Sequence, residues 1–338
     1  MRATRPVKSA AVAAAIAVSA SLAAAASAGA VAVTVTGDDG RPLAINPSAP
    51  PALRNLRPQV VVTADPNTRY SVAVTDPAGR PAAAPVTCAD AAQPATIQVP
   101  YRGNGTYNVA VTSFAAIDSG CAGPLGPAAG FPFSIAGKVA LGRVGRFVLR
   151  DPGAPNDKPL ALPVDADPGA QSHEIRFKRD AKVRRNGALA GRSATAPFAN
   201  GTATLRFADP GLYTVVGRDA ADGIETPWSE PQRIRVVAPF DLSTIRYPDR
   251  SGPAFRVFCQ IREGGWATGV VSVAIARGNG GFRPLGRARI NGSGAFGAKF
   301  TARTAGTYRL RFTYRGNRYV TPGVLTTRFT VGTAIVGT

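Results

Sequence analysis

The sequence predicts an all-β protein built from three tandem antiparallel β-sandwiches that follow a cleaved signal peptide. Three observations carry this expectation. A glycine stands two residues ahead of a tyrosine that opens an alternating strand at Gly105-Thr-Tyr107, Gly211-Leu-Tyr213 and Gly306-Thr-Tyr308. These tyrosines lie 106 and 95 residues apart, about the length of one sandwich. Short β-branched runs bounded by Gly, Pro, Asn or Asp recur along the chain, as half-buried strands of period 2 require. Beyond the N-terminus no stretch reads as a long amphipathic helix.

Residues 1–28 have the layout of a secretory signal. Arg2, Arg5 and Lys8 are followed by the alanine-rich apolar run from Ala10 to Ala26, and Ala26-Ser27-Ala28 presents small residues to a peptidase. Alanine is too weakly apolar to hold a helix in lipid, and no later stretch approaches 20 apolar residues. The expectation is export, an extracellular or cell-surface location and no transmembrane anchor. The first bead, 31–136, takes its strands from Val31–Thr36, Gln59–Thr63, Tyr70–Thr75 and Tyr107–Thr112. Gly37-Asp-Asp-Gly-Arg-Pro42 and Asp76-Pro-Ala-Gly-Arg-Pro81 serve as turns, because proline presets φ and glycine supplies positive φ. Asn46 to Pro58 reads as irregular, and Ser119 to Gly130 as a long loop between the last two strands. Cys88 and Cys121 share this bead, so an oxidising compartment favours a disulfide between them. Closing a loop of about 33 residues is worth roughly 3 to 4 kcal/mol in the chain-entropy model. The third cysteine, Cys259, alternates in phase with Phe255, Val257 and Ile261. It reads as a buried thiol, with an intermolecular bridge as the alternative.

The second bead, 137–238, draws early strands from Phe147–Leu149, Glu174–Phe177 and Ala203–Phe207. Its end, Tyr213-Thr-Val-Val-Gly followed by Asp222-Gly223, Trp228-Ser229 and Arg233-Ile-Arg-Val236, resembles the closing hairpin of a fibronectin type III module. The resemblance covers about 25 residues, and the early tryptophan typical of that family is absent. The third bead, 239–332, reads as strands Val270–Ile275, Gly281–Leu285, Arg287–Ile290, Ala295–Phe300 and Tyr308–Tyr314 with Asn-Gly and Gly-Asn turns between them. The segment from Gly294 to Val331, with its Ala305-Gly-Thr-Tyr308 step, is similar to the Ig-like repeats common in exported bacterial surface proteins. Together these resemblances imply Ig-like or fibronectin III-like sandwiches in which Tyr107, Tyr213 and Tyr308 are the structural corner tyrosines near the start of the sixth strand. Val109, Val215 and Leu310 stand where antibody domains carry the inter-sheet cysteine, so each core is expected to be held by apolar packing alone.

The net charge of +20 is unevenly placed: +3 in the signal, zero in the first bead, +5 in the second and +12 in the third. Arg287 and Arg289 alternate with apolar positions, as do Arg309 and Arg311, so each pair should project from a solvent face, with Arg315 close by. Such a face suits anionic polymers, because a planar guanidinium can bond two oxygens of one phosphate or carboxylate. The plainer reading is a solvated surface whose charge serves solubility and protects sheet edges.

Other motifs yield little. Gly292-Ser-Gly294-Ala-Phe-Gly297 fits a dinucleotide pattern, but no helix follows, so a hairpin turn is expected. Asp219, Asp222 and Glu225, or Asp165 and Asp167, could cup calcium but lack EF-hand spacing. Asn104, Asn200 and Asn291 match a glycosylation acceptor and also a turn. His173, the one histidine, reads as a surface residue. With no nucleophile motif and few acids, no catalysis, cofactor or metal is expected. The sequence reading is a non-catalytic surface or secreted protein, structural or adhesive, whose partner is an anionic cell-wall or extracellular polymer or another surface protein. Sequence-specific nucleic-acid binding is not expected. The alternative is a neutral-glycan or peptide binder that uses end loops and aromatics such as Trp228, Trp266, Tyr314 and Tyr319.

Overall fold

A computed structural model describes residues 31–66, 68–117, 120–124, 127–149, 158–247, 250–251, 254–262 and 264–332; the signal-like segment lies outside them. The described chain is all-β. It contains no α-helix, and no helix long and apolar enough to cross a membrane. Every strand ladder falls within 31–135, 140–237 or 242–331, and each stretch builds two facing sheets.

The three stretches share a core connectivity and differ at their sheet edges; the parallel edge strand of the first two has no counterpart among the described strands of the third. In the second, Ala140–Leu141, Leu160–Asp165, Thr202–Leu205 and Phe198–Ala199 form one sheet. Arg146–Val148, Gln232–Val237, Gly211–Ala221, Ser172–Arg179 and Ala194–Ala196 form the other. In the first, Ala52–Leu53, Ala129–Ile135, Gly105–Ile117, Thr68–Thr75 and Val86–Asp90 repeat the order of that larger sheet, and Pro42–Ala44, Val31–Thr36, Gln59–Ala64 and Ala95–Gln98 face it with the short added strand at the opposite edge. In the third, a sheet centred on Ala254–Ile261 faces Arg283–Arg289, Val270–Arg277, Gly306–Tyr314 and Gly323–Val331. Alternation determines which side of each strand is buried. Val60 and Val62, Val72 and Val74, and Val109 and Val111 turn inward in the first bead, while Leu162, Ile175, Val215 and Val236 do so in the second. Val257, Cys259, Val273, Leu310 and Phe312 fill the third. Burial pushes the Cys259 thiol up to about 12, so it sits in the core as a small apolar residue.

The three tyrosines share one geometry. Tyr107 Oη donates to Gly103 O at 3.0 Å, Tyr213 Oη to Asp209 O at 3.1 Å and Tyr308 Oη to Thr304 O at 2.8 Å, each four residues upstream. All three rings are buried, and burial raises the phenol pKa of Tyr107 and Tyr213. The preceding glycine has more than one role. Gly105 and Gly306 sit at φ +142° and +139°, which other residues avoid, whereas Gly211 makes room for the Arg179 side chain, 2.7 Å from where a Cβ would stand.

Four local expectations change. The segment from Ser119 to Gly130 is not simply a loop. The strand Gly105–Ile117 runs past the core and turns back as Gly120–Pro124, and Cys121 on this extension bonds Cys88. The region from Asn46 to Pro58 holds the short strand Ala52–Leu53, which pairs in parallel with Ala129–Ile135. The stretches Gly281–Leu285 and Arg287–Ile290 are one strand with a bulge, because Gly286 at φ +146° lets the chain add a residue without leaving the ladder. His173 is not an open surface residue. Its ring packs on Phe198, and its Nδ1 lies 2.7 Å from an oxygen of the buried Asp219.

The beads abut without spare linker. Between the first and second, Asn104 brackets Gly137: Oδ1 accepts from Gly137 N at 2.9 Å and Nδ2 donates to Gly137 O at 3.0 Å. Arg54 reaches across to Asp165 at 2.6 Å and Asp167 at 3.0 Å, and Tyr101 N donates to Asp222 Oδ2 at 2.9 Å. Ala221 of the second bead is buried in the core cluster of the first. The second and third beads meet more lightly. Ala238 pairs with Val320, and the Arg179 guanidinium stacks on Trp266 at 4.3 Å.

A candidate anion-binding face

The third bead contains the greatest excess of positive charge. From Gly264 to Thr338 the sequence has 11 Arg or Lys and no Asp or Glu. Among the described residues of this bead the acid is Asp241, which pairs with Arg262 at 2.9 Å. Among the described residues no carboxylate of this bead pairs with an arginine of the four-stranded sheet.

Strand register arranges these cations in rows. On the solvent side, Arg287 lies across from Ser272, Thr313 and Val324. Pro284 lies across from Ala274, Arg311 and Thr326, and Ala276 from Arg309 and Arg328. The centre of the sheet is thus floored by Ser, Ala and Thr, while longer side chains rise on either side. The result is a depression of about 370 Å³ lined by Ser272, Ala274, Phe282, Gly286, Arg287 and Arg311. A second depression of about 250 Å³ continues it, with Arg287 shared and Arg315, Thr268 and Tyr314 added. Both are open and shallow, as expected where a sheet face rather than a cleft meets solvent.

The five arginines singled out from the sequence do not behave alike. Arg287, Arg311 and Arg315 line the two depressions. Arg289 is exposed on the same side, across from Val270, and lines neither. Arg309 is half-buried and turned inward on the loop. Its Nη2 donates to Gly280 O at 2.8 Å and its guanidinium stacks on Phe282 at 5.0 Å, while its Nε is buried with no hydrogen-bond partner. Arg311 stacks on the same ring at 4.4 Å. Phe282 therefore holds two guanidiniums in place, so less side-chain entropy remains to be lost on meeting an anion. Sequence reasoning missed Arg328, the cross-strand partner of Arg309. Phe329 beside it packs on the core, and the alternation along Gly323–Val331 was the signal available.

The alternative aromatic surface is occupied. Trp228 is stacked by Arg218 at 4.3 Å and Arg176 at 5.4 Å, and Trp266 lies under Arg179 and beside Tyr319 at 5.2 Å. Tyr314 is buried and donates to Thr268 O at 2.8 Å. The acids considered for calcium are engaged in pairs. Asp219 accepts from Asp167 N at 2.7 Å and meets His173, Glu225 pairs with Arg218, and Asp165 and Asp167 hold Arg54. Among the described residues no group of three or more His, Cys, Asp or Glu is placed to hold a metal ion.

No protein-family model matches the chain, and no curated protein matches it. Among solved structures the chain is similar to the FN1–FN3 domains of chicken CNTN1, with 11% identity over 83% of this chain and 98% of that one and a TM-score of 0.23. It is also similar to the chicken interferon gamma receptor alpha chain, with 8% identity over 57% of this chain and 96% of that one and a TM-score of 0.32. The fold rests on the strand ladders and cores themselves: a run of antiparallel β-sandwiches.

Proposed function

We propose that the protein is a non-catalytic, secreted or cell-surface module of the exported bacterial type, in which the first two beads act as a spacer and the third binds an anionic polymer. The observation that carries this reading is the row of Arg287, Arg311 and Arg315 along two joined depressions, in a stretch of sequence without a carboxylate. A linear polyanion lying along the sheet would meet a guanidinium on either side of a floor of small residues. Arg289 and Arg328 would add to the field without touching that floor. The partner is a phosphate- or carboxylate-bearing polymer of the wall or the surrounding matrix, because guanidinium forks recognise both.

The test is retention of the whole chain on immobilised heparin, used as a probe polyanion, across a salt series. Binding carried by exposed charges weakens steeply as the Debye length shrinks from about 10 Å at 0.1 M to about 3 Å at 1 M salt. The substitutions Arg287→Gln and Arg311→Gln together should move elution to markedly lower salt, while a double Gln substitution at Arg41 and Arg80 of the neutral first bead should leave it in place. Elution that ignores ionic strength, or that moves equally with either pair, would sink the reading.

A further inference from the structure

The third bead has a second arginine cluster, distinct from the arginines that line the outer-face depressions. Its strands Val270–Arg277 and Gly306–Tyr314 run antiparallel, and the end holding Trp266 and Val320 meets the second bead. The opposite end, where Arg277 lies across from Tyr308, faces away from that junction. At this pole a depression of about 590 Å³ opens between the turn after Arg277 and the corner before Tyr308, with Arg277, Arg283 and Arg303 around it. Asp241 and Arg262 pair at the other end of the bead, where Leu242 registers with Ile261, so among the described residues the pole has no carboxylate.

The site is held in shape. Arg277 Nη2 donates to Ala305 O at 3.1 Å, which fixes this guanidinium against the corner. The turn closes on itself through Gly280 N to Arg277 O at 3.0 Å, and Gly278 N donates to Thr307 O at 2.8 Å. Arg309 secures the far side of the turn through Gly280 O, so it is a positioning residue for this pole. Arg283 and Arg303 are exposed and pair with no described acid. Thr304 and Gly281 also line the rim.

We infer that this pole is a binding site for a compact, multiply sulfated or phosphorylated saccharide unit. Each guanidinium fork bonds two oxygens of one anionic group, so three forks around one opening are matched by several such groups on one body and poorly by a lone phosphate. A volume of this size holds a small ligand of one or two rings. A sheet face accepts the length of a polymer, whereas a capped pole accepts a unit or a chain end.

Titration calorimetry of the full chain with sucrose octasulfate, in physiological salt, tests the assignment. Arg283→Gln with Arg303→Gln should lower affinity roughly tenfold or more, and Arg287→Gln with Arg311→Gln should change it by less than about threefold. Inorganic phosphate at equal charge should compete weakly. Octasulfate affinity that is unchanged in the pole variant, or equally reduced in the outer-face variant, overturns the site. The outer-face reading is judged separately by heparin retention. Vesicles containing anionic phospholipid form a further arm. If the pole variant loses vesicle binding while keeping octasulfate affinity, the ligand is a lipid headgroup and the saccharide assignment falls. Should the double variant unfold by circular dichroism, Arg303→Gln alone must still weaken octasulfate binding for the proposal to stand.

Discussion

Asp167 is fully covered, and only one of its carboxylate oxygens is matched. Oδ1 accepts from Arg54 Nε at 3.0 Å, while Oδ2 has no hydrogen-bond partner. Burial raises its pKa, with Arg54 and, less strongly, the Lys138 backbone N–H pulling the other way. A carboxyl raised in the fold contributes stability that is full below its unfolded value and is lost as pH rises, so at neutral pH the fold depends on Arg54 to offset this charge. Glu174 has the opposite sign. Burial opposes its ionisation, but Arg218 and Arg176 outweigh burial and lower its pKa, so its contribution is present at neutral pH and fades on acidification. Arg54→Met should therefore destabilise the junction by about 2 kcal/mol, less than a fully buried pair would lose because the arginine is one-third exposed. Adding Asp167→Asn should restore part of the loss in urea unfolding; no restoration would mean that Arg54 acts through packing alone. None of this was legible in the sequence, where Asp165 and Asp167 read as loop acids and Asn104 as a turn residue. Their partners lie 111, 113 and 33 residues away.

At the scale of elements, the sequence read best where side chains alternate and worst where two backbones meet. Gly294 illustrates the second case. It sits at φ +82°, and a Cβ there would stand 1.9 Å from Gly264 Cα. The two glycines bring the Asn291–Ala295 turn against the short 3₁₀ segment Gly264–Trp266, and Ile261 N donates to Gly294 O at 3.1 Å. The turn itself was readable, since Asn291 Oδ1 accepts from both Ser293 N and Ala295 N. Its docking onto Gly264 was not, because nothing local specifies a neighbour 30 residues earlier. Gly294→Ala should cost about 2 to 3 kcal/mol from strain and overpacking, read as a lower urea midpoint for the third bead. Gly292→Ala, which meets open space, should cost under about 1 kcal/mol. Equal losses would show that turn propensity rather than contact governs this site. The same distinction accounts for the extended hairpin near Cys121: the Gly- and Pro-rich composition indicated a loop, and pairing with the strand from Gly105 overrode it.

Across the whole molecule, the two junctions differ in kind. The first buries Ala221, from a strand of the second bead, in the core of the first bead and is crossed by ion pairs from Arg54 and Arg57. Across the second, among the described residues, only the second bead's last residue, Ala238, enters the next core, beside one backbone bridge and one stacked arginine. Cooperative units follow shared buried contacts, so calorimetry should resolve two transitions: beads one and two melting together, and bead three apart. Arg54→Met should split the first transition. Three resolved transitions in the unsubstituted chain would refute the shared unit. The charge gradient fits this division, because the neutral and mildly basic beads are coupled to each other and the strongly basic bead is joined to them by the lighter junction.

Periodicity and turn chemistry by themselves determined the class of fold, the spacing of the corner tyrosines and the side of each strand that meets solvent, since these follow from rules that act within a few residues. They also placed positive charge in the last hundred residues. Only the tertiary structure decided which arginines work together. It separated Arg287, Arg311 and Arg315 from Arg309, which fastens a loop, and brought Arg277, Arg283 and Arg303 to one pole. The physical reason is that a guanidinium's surroundings are set by strand register and loop docking, which are long-range choices made by the packing of the two sheets.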